Sequence, residues 1–480
     1  MDDLERIDGI ALSALIAKGE ISAGEVLETT IARVERLNPK LNAVVHEHFD
    51  LARQQVASGL PESPLSGVPT LLKNTGFEAE GMILSTGSEL LRNNVSKRDS
   101  TITARYKAAG LVILGKSNTP EFALSFTTEP DAFGPTRNPW DLNRTAGGSS
   151  GGSTAAVASG LVPLANSSDG AGSTRLPASH CGLFGFKPSR LVNPVGPVVA
   201  EAIGGMSTPH AVSWSVRDNA AMLDVSAGAD LGDPWASPAA PGSYLSALET
   251  APSRLKVALL VTSPTGNVIE PEMTRSVRDT AQLLQDMGHH VEEVESAGYD
   301  AEALKAAWRI VVGVNVALGV TGGDPASANI SKLEPVNQEW VREALSVPGT
   351  RYLWAIGQLH ASSRALARFF DRYDVMLTPA AAEPAPLLGK LAGRGKSLDE
   401  FYDLFWSHSP FTAVFNTSGC PAMSVPLGMS PTGLPIGSHL GAAFGKDAML
   451  FSLAAELERA APWIDRRPPL FGCGESREKY

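Results

Sequence analysis

The chain has 480 residues, 43% of them hydrophobic, and a formal net charge of −11 at pH 7. That length allows two or three average domains or one large α/β unit, and the acidic balance, with no run of lysines and arginines, argues against nucleic acid or an anionic membrane as partner. No apolar run approaches the roughly 20 residues needed to cross a bilayer, and the scattered Cys181, Cys420 and Cys473 fit neither a disulfide framework nor a zinc site and read as buried thiols.

The acidic start, Met1-Asp-Asp-Leu-Glu5, lacks the basic and then apolar pattern of a secretory signal, so a cytoplasmic home is the expectation. Ser22-Ala-Gly-Glu25 reads as a capping box that opens a helix. Its apolar stripe is Leu27, Ile31 and Val34, and it is expected to end near Asn38-Pro39. A Pro/Ser-rich stretch at 59–64 precedes 67–73, a buried strand ending in Lys73. A helix is predicted at 102–109 and a core strand at 110–115, and the same helix-to-strand order recurs at 154–164. After a Pro/Ala/Ser-rich loop at 230–253 come a strand at 255–261, a helix at 276–287 and a strand at 290–294. Residues 301–372 read as mostly helical, with turns at 319–325 and 347–349. Strands at 373–379 and 420–426, a turn at 431–433 and a helix at 447–460 close the pattern.

Helices alternating with buried strands predict an α/β fold with buried, largely parallel strands. The expected organisation is one domain over 1–480. It has an N-terminal helical layer (about 1–58), a core (about 65–300 and 373–470) and a helical insert (about 301–372).

Chemistry concentrates in two Gly/Ser loops, Gly147-Gly-Ser149-Ser150-Gly-Gly-Ser153 and Asp169-Gly170-Ala171-Gly172-Ser173-Thr-Arg175. Glycines let backbone N–H groups turn toward one point, and converging N–H groups beside a serine are the makings of an oxyanion hole. A flexible linker is the bland reading, but the apolar Ala155, Val157, Leu161 and Leu164 between the loops indicate order. Residues 147–151 also fit G-x-S-x-G, a motif that needs a strand before the serine and a later histidine. Residues 139–145 make a poor strand, and none of His180, His210, His360, His408 and His439 stands out. Ser253-Arg-Leu-Lys256 matches S-x-x-K, which chance explains.

Lys73, the 147–153 loop and Asp169-Gly-Ala-Gly-Ser173-Thr-Arg-Leu-Pro-Ala178 together resemble the amidase signature family, and segments 110–119, 181–188 and 416–426 fit it as well. The likeness extends over about 12–463 and implies the family's α/β fold, a large twisted, mixed and mostly parallel sheet with helices on both faces. It implies that Ser173 is the nucleophile, Ser149 a bridging serine on a cis peptide bond, and Lys73 the general base. It also implies an oxyanion hole from the backbone N–H groups of Gly170, Ala171, Gly172 and Ser173. Asp169 and Arg175 would brace that loop, with Ser150 and Ser153 in support, and no metal or organic cofactor is required. The commonest family pattern is Asp-Thr-Gly-Gly-Ser; here Gly170 and Ala171 replace Thr and Gly, and an alanine limits the local φ. Lysine can act as base only as the neutral amine, which burial in a carboxylate-poor site favours. The apolar approach through Val68, Leu71 and Leu72 is consistent with such burial.

Within the family, segments 127–130, 134–140 and 462–468 look like the 6-aminohexanoate cyclic-dimer hydrolase branch, whose relatives also cleave aryl amides, esters and carbamates (urethanes). The expected activity is hydrolysis of small uncharged amides or carbamates through an acyl-enzyme, by a monomer or homodimer. Two alternatives remain: a non-catalytic binding protein, and the A subunit of glutamyl-tRNA amidotransferase. That subunit tends to have Gln where Leu176 stands and works with partners on tRNA. Pocket walls are expected from 122–126, 195–206, the 301–366 insert and 401–411. Trp308, Trp340, Trp354, Phe401 and Trp406 would either line an apolar cleft or pack in the core.

Overall fold

Capping chemistry decides where the first long helix begins. Ser22 Oγ accepts the Glu25 N–H at 3.1 Å, and Glu25 Oε2 accepts the Ser22 N–H at 2.9 Å, closing the expected capping box in front of helix Ala23–Leu41. The computed structural model describes residues 4–237, 242–324, 326 and 329–472. Residues 1–3, Cys473, residues 238–241 of the expected loop and Pro325 of an expected turn therefore lie outside the described residues. The helix does not stop at Asn38-Pro39. Pro39 sits inside its last turn, which closes through Asn42 N–H to Asn38 O at 2.7 Å, with Asn42 left-handed at φ 51°. Burial of Leu37 and Leu41 in the core holds that turn despite the proline.

Helices Gly9–Ala17 and Phe49–Ala57 complete the N-terminal layer. Beneath them a small sheet contains β1 (Val44–Glu47), β2 (Pro69–Lys73) and β3 (Val112–Ser117) in the order β1-β3-β2. Residues 139–145 do hold a strand, contrary to expectation: β4 (Arg137–Asn138) and β5 (Asp141–Thr145) form a hairpin. Its pairing is tertiary, since Thr145 N–H reaches Pro386 O and Leu388 N–H reaches Asn143 O, each at 3.0 Å. Local propensity carries no trace of those partners.

The main sheet has eight strands. They are β6 (Leu164–Asp169), β7 (Phe184–Lys187), β8 (Thr208–Ser213), β9 (Lys256–Leu259), β10 (His290–Glu293), β11 (Val375–Pro379), β12 (Ala422–Met429) and β13 (Pro435–Ala442). Their order is β10-β9-β11-β13-β12-β7-β8-β6. The sheet is mixed, but its pairing is not mostly parallel: only β9–β10 and β9–β11 pair in parallel, and the other five pairings are antiparallel. The parallel pair β9–β10 is joined by helix Pro271–Asp286, as the helix-to-strand order implies. The excess of antiparallel pairs arises where β13 folds back on β12 through the turn at 431–433, and where β8 inserts between β7 and β6.

Successive residues of β9 and β11 go to different buried clusters: Val257, Leu259, Val375 and Leu377 to one, Ala258 and Met376 to another. Side chains alternate across a strand, so apolar layers cover both faces. Helices Val216–Ser226 and Asp447–Ala460 contribute Ala220, Leu223, Leu450 and Leu453 to the first cluster. The insert contributes helices Ala301–Thr321, Pro335–Leu345 and Gly349–Phe370. Ala301–Thr321 is long and apolar enough to cross a membrane by length and composition, although Lys305, Arg309 and Asn315 break it into shorter apolar runs. Leu304, Trp308, Val311, Val312 and Val316 are buried against the rest of the fold.

Two glycines separate close packing from open space. A Cβ on Gly152 would lie 2.3 Å from Asn118 N and 2.6 Å from Ala43 O, whereas one on Gly357, inside helix Gly349–Phe370, would meet nothing within 4 Å. Gly152→Ala is expected to destabilise the protein by about 1–3 kcal/mol, the range for overpacking. Gly357→Ala should stabilise it by about 0.5–1 kcal/mol through helix propensity. Thermal or denaturant unfolding should therefore shift in opposite directions for the two variants.

Candidate active site

Three chain segments meet at the edge of the main sheet because β2 lies alongside β6. Thr70 Oγ1 donates to Leu164 O at 3.2 Å, and the Lys73 N–H donates to Asn166 Oδ1 at 3.2 Å. Lys73, the last residue of β2, is thus delivered next to the end of β6, where the 169–175 loop begins. The 147–153 loop leads from β5 into helix Gly151–Ala158, and its Gly148–Ser149 peptide is cis, as the family resemblance implied. Thr119 Oγ1 holds Ser149 O at 2.9 Å, and Thr128 Oγ1 holds Gly147 O at 2.9 Å. The Ser150 N–H donates to Ser173 O at 3.2 Å, tying the two loops together.

Lys73 has no exposed surface. Its Nζ donates to Ser149 Oγ at 2.7 Å, to Ser168 Oγ at 3.0 Å and to Ser168 O at 3.4 Å. Burial pushes its amine down to about 7, against a partial upward pull from Asp169. A low pKa alone does not single out this lysine, since burial also takes Lys116 and Lys187 down to about 7. Those two spend their amines on backbone carbonyls, Lys116 on Phe77 O and Lys187 on Pro188 O. Lys73 is bonded to two serine hydroxyls, and that geometry sets it apart.

Ser173 is 6% exposed and Ser149 1%. Among the described residues no hydrogen bond joins Ser173 Oγ to Ser149 Oγ, so the lysine-to-serine contact is made and the serine-to-serine contact is not. Ser168 was missed in the sequence. It stands on β6 directly before the recognised Asp169, and that adjacency was the available signal. Ser150 and Ser153 are tied to β6: Ser150 Oγ donates to Ser168 O at 3.2 Å, and Ser153 Oγ to Asn166 O at 2.7 Å.

Asp169 and Arg175 form a fully buried, two-pronged ion pair, with Nε to Oδ2 at 2.9 Å and Nη2 to Oδ1 at 2.8 Å. Burial would raise the Asp169 carboxyl, but Arg175, Asn416 and Lys187 outweigh it and hold it well below the usual carboxylate range. Arg175 also donates to Thr412 O at 3.0 Å and to Asn416 Oδ1 at 2.7 Å, so a distant part of the chain fixes the loop.

One expected oxyanion donor is already engaged. The Gly172 N–H donates to Asp169 Oδ1 at 2.7 Å, which removes it from the candidate set. Among the described residues the N–H groups of Gly170, Ala171 and Ser173 have no protein acceptor. The alanine costs no geometry: positive φ falls on Gly172, at 139°, and not on Ala171. A Cβ on Gly172 would come within 2.6 Å of Thr412 Oγ1, so glycine is needed there for space as well.

A cavity of about 230 Å³ opens beside Ser168. Phe122, Ala123, Val195, Val199, Ala202 and Ile203 form much of its wall, and no charged residue lines it. The expected walls at 122–126 and 195–206 are in part correct, but the insert and 401–411 do not reach this cavity. Trp308, Trp340, Phe401 and Trp406 are buried in one core cluster, while Trp354 is 36% exposed and lies under Arg351, whose guanidinium carbon is 3.7 Å from the ring centre. Trp308, Trp340 and Trp406 pack in the interior, because interhelical burial claims their faces, whereas Phe401, also in that cluster, lines a separate cavity. Among the described residues no histidine hydrogen-bonds to Ser149 or Ser173, which removes the G-x-S-x-G reading. Cys181 and Cys420 are buried free thiols, as expected.

The Amidase family model matches residues 25–451. The chain is similar to a 6-aminohexanoate-cyclic-dimer hydrolase of Paenarthrobacter ureafaciens, with 36% identity over 477 residues and 96% of each chain covered. It superposes on a solved 6-aminohexanoate cyclic dimer hydrolase complexed with substrate at a TM-score of 0.90, with 35% identity, covering 97% of this chain and 99% of that one. A bacterial aryl acylamidase of the amidase signature family matches at a TM-score of 0.87 and 27% identity, over 96% and 99% of the two chains.

The buried amine has a stability signature. Lys73 titrates near 7 when folded and near its ordinary 10.5 when unfolded, so between those values the unfolded chain binds more protons. Its contribution to stability is therefore lost as the pH falls from 10.5 toward 7. Lys73→Met removes this dependence, and its stability relative to wild type should be highest at pH 7 and decline steadily toward pH 10.5. Denaturant unfolding of both proteins across that range checks it, and a pH-independent difference would contradict it.

Proposed function

The chain belongs to the amidase family and is an amidohydrolase, and from that premise we propose that Ser173 attacks the substrate carbonyl while Ser149 and Lys73 carry its proton. The observation that carries the reading is the 2.7 Å bond from Lys73 Nζ to Ser149 Oγ, made by an amine with no exposed surface and a pKa of about 7. A neutral amine at that position accepts the Ser149 proton as Ser149 takes the proton of Ser173. The relay needs the Ser173 hydroxyl, which carries no hydrogen bond among the described residues, to turn toward Ser149.

As the Oγ–C bond forms, the carbonyl oxygen becomes an oxyanion within reach of the Gly170, Ala171 and Ser173 N–H groups. Collapse breaks the C–N bond. The Lys73 ammonium returns the proton through Ser149 to the leaving nitrogen, which departs as an amine. Water then repeats the sequence on the acyl-enzyme and releases the acid and free Ser173. With a carbamate the intermediate is a carbamoyl-enzyme handled by the same groups.

Small uncharged substrates fit the wall beside Ser168, which offers apolar surface and no charge to pair with an ionised group. A cyclic nylon oligomer, an anilide or a dicarbamate has this character, and the hydrolase and the acylamidase reported above support that choice.

Ser173→Ala should abolish turnover and fluorophosphonate labelling, and Lys73→Ala should lower kcat/KM by about 10²–10⁴-fold, the usual weight of a general base. For wild type, kcat/KM should rise with pH through about 7 and then level. In a hydrolysis panel of aliphatic amides, anilides, 6-aminohexanoate oligomers and dicarbamates, neutral members should exceed their charged analogues by about tenfold or more. Full turnover by Ser173→Ala would refute the assignment.

A further inference from the structure

Segment 120–125 separates two cavities. Phe122 and Ala123 line the one beside Ser168, whereas Pro120, Glu121, Leu124 and Ser125 line a second, of about 290 Å³. The second cavity is acidic: Glu121, Glu129, Asp131 and Glu334 line it, with Arg394 as the one cation among the residues of its wall.

Most of its polar atoms have partners. Arg394 pairs with Asp131. Glu129 accepts from Thr127 Oγ1 at 2.6 Å and from the Gly389 N–H at 2.8 Å. Glu121, only 2% exposed, accepts from Ser88 Oγ at 2.5 Å and from the Glu334 N–H and Asn337 Nδ2, each at 2.8 Å. These are neutral donors, and Glu121 forms no ion pair among the described residues. Glu334 Oε1 accepts the Asp131 N–H at 2.9 Å and likewise has no ion-pair partner among them. Burial, with the charges of Glu121 and Asp131, pushes the Glu334 carboxyl up to about 7.

Asn337 supplies an independent sign of a missing ligand. It is 3% exposed and lines the cavity, its Nδ2 is spent on Glu121, and its Oδ1 has no hydrogen-bond partner among the described residues. Buried acceptors without donors are uncommon in native proteins, and buried carboxylates want a counter-charge. A ligand that brings N–H donors and positive charge together answers both. Pro130, Pro135, Pro335, Val336 and Phe401 make part of the remaining wall apolar, which suits a hydrocarbon stem better than the water shell of a metal ion. Among the described residues no group of three or more His, Cys, Asp or Glu is arranged to hold a metal.

We propose that this cavity binds a primary alkylammonium ion, its head donating to Asn337 Oδ1 and the Glu334 carboxylate and its stem lying against Pro335, Val336 and Phe401. The site stands apart from the Ser–Lys cluster, and its binding does not depend on the reaction proposed above. If that reading holds, an amine of this kind is also the leaving group of amide hydrolysis, so the cavity holds product on the far side of a single loop segment from the cavity beside Ser168.

Isothermal titration of the full chain with n-hexylammonium chloride, at constant ionic strength, tests the site without reference to turnover. Saturable one-to-one binding is expected. Glu334→Gln and Asn337→Leu should each weaken it at least tenfold, as loss of a charge-assisted or buried acceptor predicts. Ile203→Trp, which fills the cavity beside Ser168, should leave it unchanged. Glu334→Gln keeps an acceptor for the Asp131 N–H, so its effect is separable from misfolding, and an unfolding curve for each variant accompanies the titration. Absence of saturable binding at millimolar ligand would overturn the proposal. So would loss of binding in Ile203→Trp with retention in Glu334→Gln, or equal competition by potassium chloride or hexan-1-ol.

Discussion

An amine buried without a counter-ion of its own gives up its proton near neutrality, and the arrangement around Lys73 preserves that condition. The carboxylate whose charge reaches it, Asp169, is taken by the Arg175 guanidinium, the Asn416 amide and three backbone N–H groups. Left unpaired, Asp169 would be the natural partner of a Lys73 ammonium. The buried Asp169–Arg175 pair therefore does two things at once: it shapes the 169–175 loop and limits the pull that would keep the amine charged. Breaking one member of such a pair is costly because the other charge stays buried.

The rest of the fold brings these groups within bonding distance. Two sheets meet where β2 runs beside β6, through side-chain bonds from Thr70 and to Asn166 rather than through a strand ladder. Helix Gly151–Ala158 begins against the end of β3, and Gly152 allows the approach, with its N–H bonded to Asn118 O at 3.2 Å. Gly172 plays the matching part in the other loop, beneath Thr412. Glycine in these places provides room for a backbone or side-chain contact that a methyl group would block.

Features set by nearby residues were legible in the sequence. The capping box at Ser22 and Glu25, the helix Asp447–Ala460 and the strand ending in Lys73 depend on neighbours a few positions away, and the structure has them where the pattern put them. The family motif named the loop residues, and the structure brings Lys73 and Ser149 together. What the pattern could not carry was pairing between distant segments. The β4–β5 hairpin takes bonds from 386–388, the predominance of antiparallel pairs comes from later strands inserting among earlier ones, and Asn416 and Thr412 reach the loop from more than two hundred residues away. Gly172 shows the same limit in miniature: as a motif position it counts as an oxyanion donor, and only the placement of Asp169 Oδ1 reveals that its N–H is occupied.

The most direct test is to watch the amine itself. Lysine side-chain NMR on protein carrying ¹³C- and ¹⁵N-labelled lysine, with the Lys73 resonance assigned by its loss in Lys73→Arg, reports the protonation of this one group separately from Lys116 and Lys187. The account predicts a midpoint near 7 for Lys73. A Lys73 signal that stays ammonium-like until the ordinary lysine range near 10.5 would contradict it.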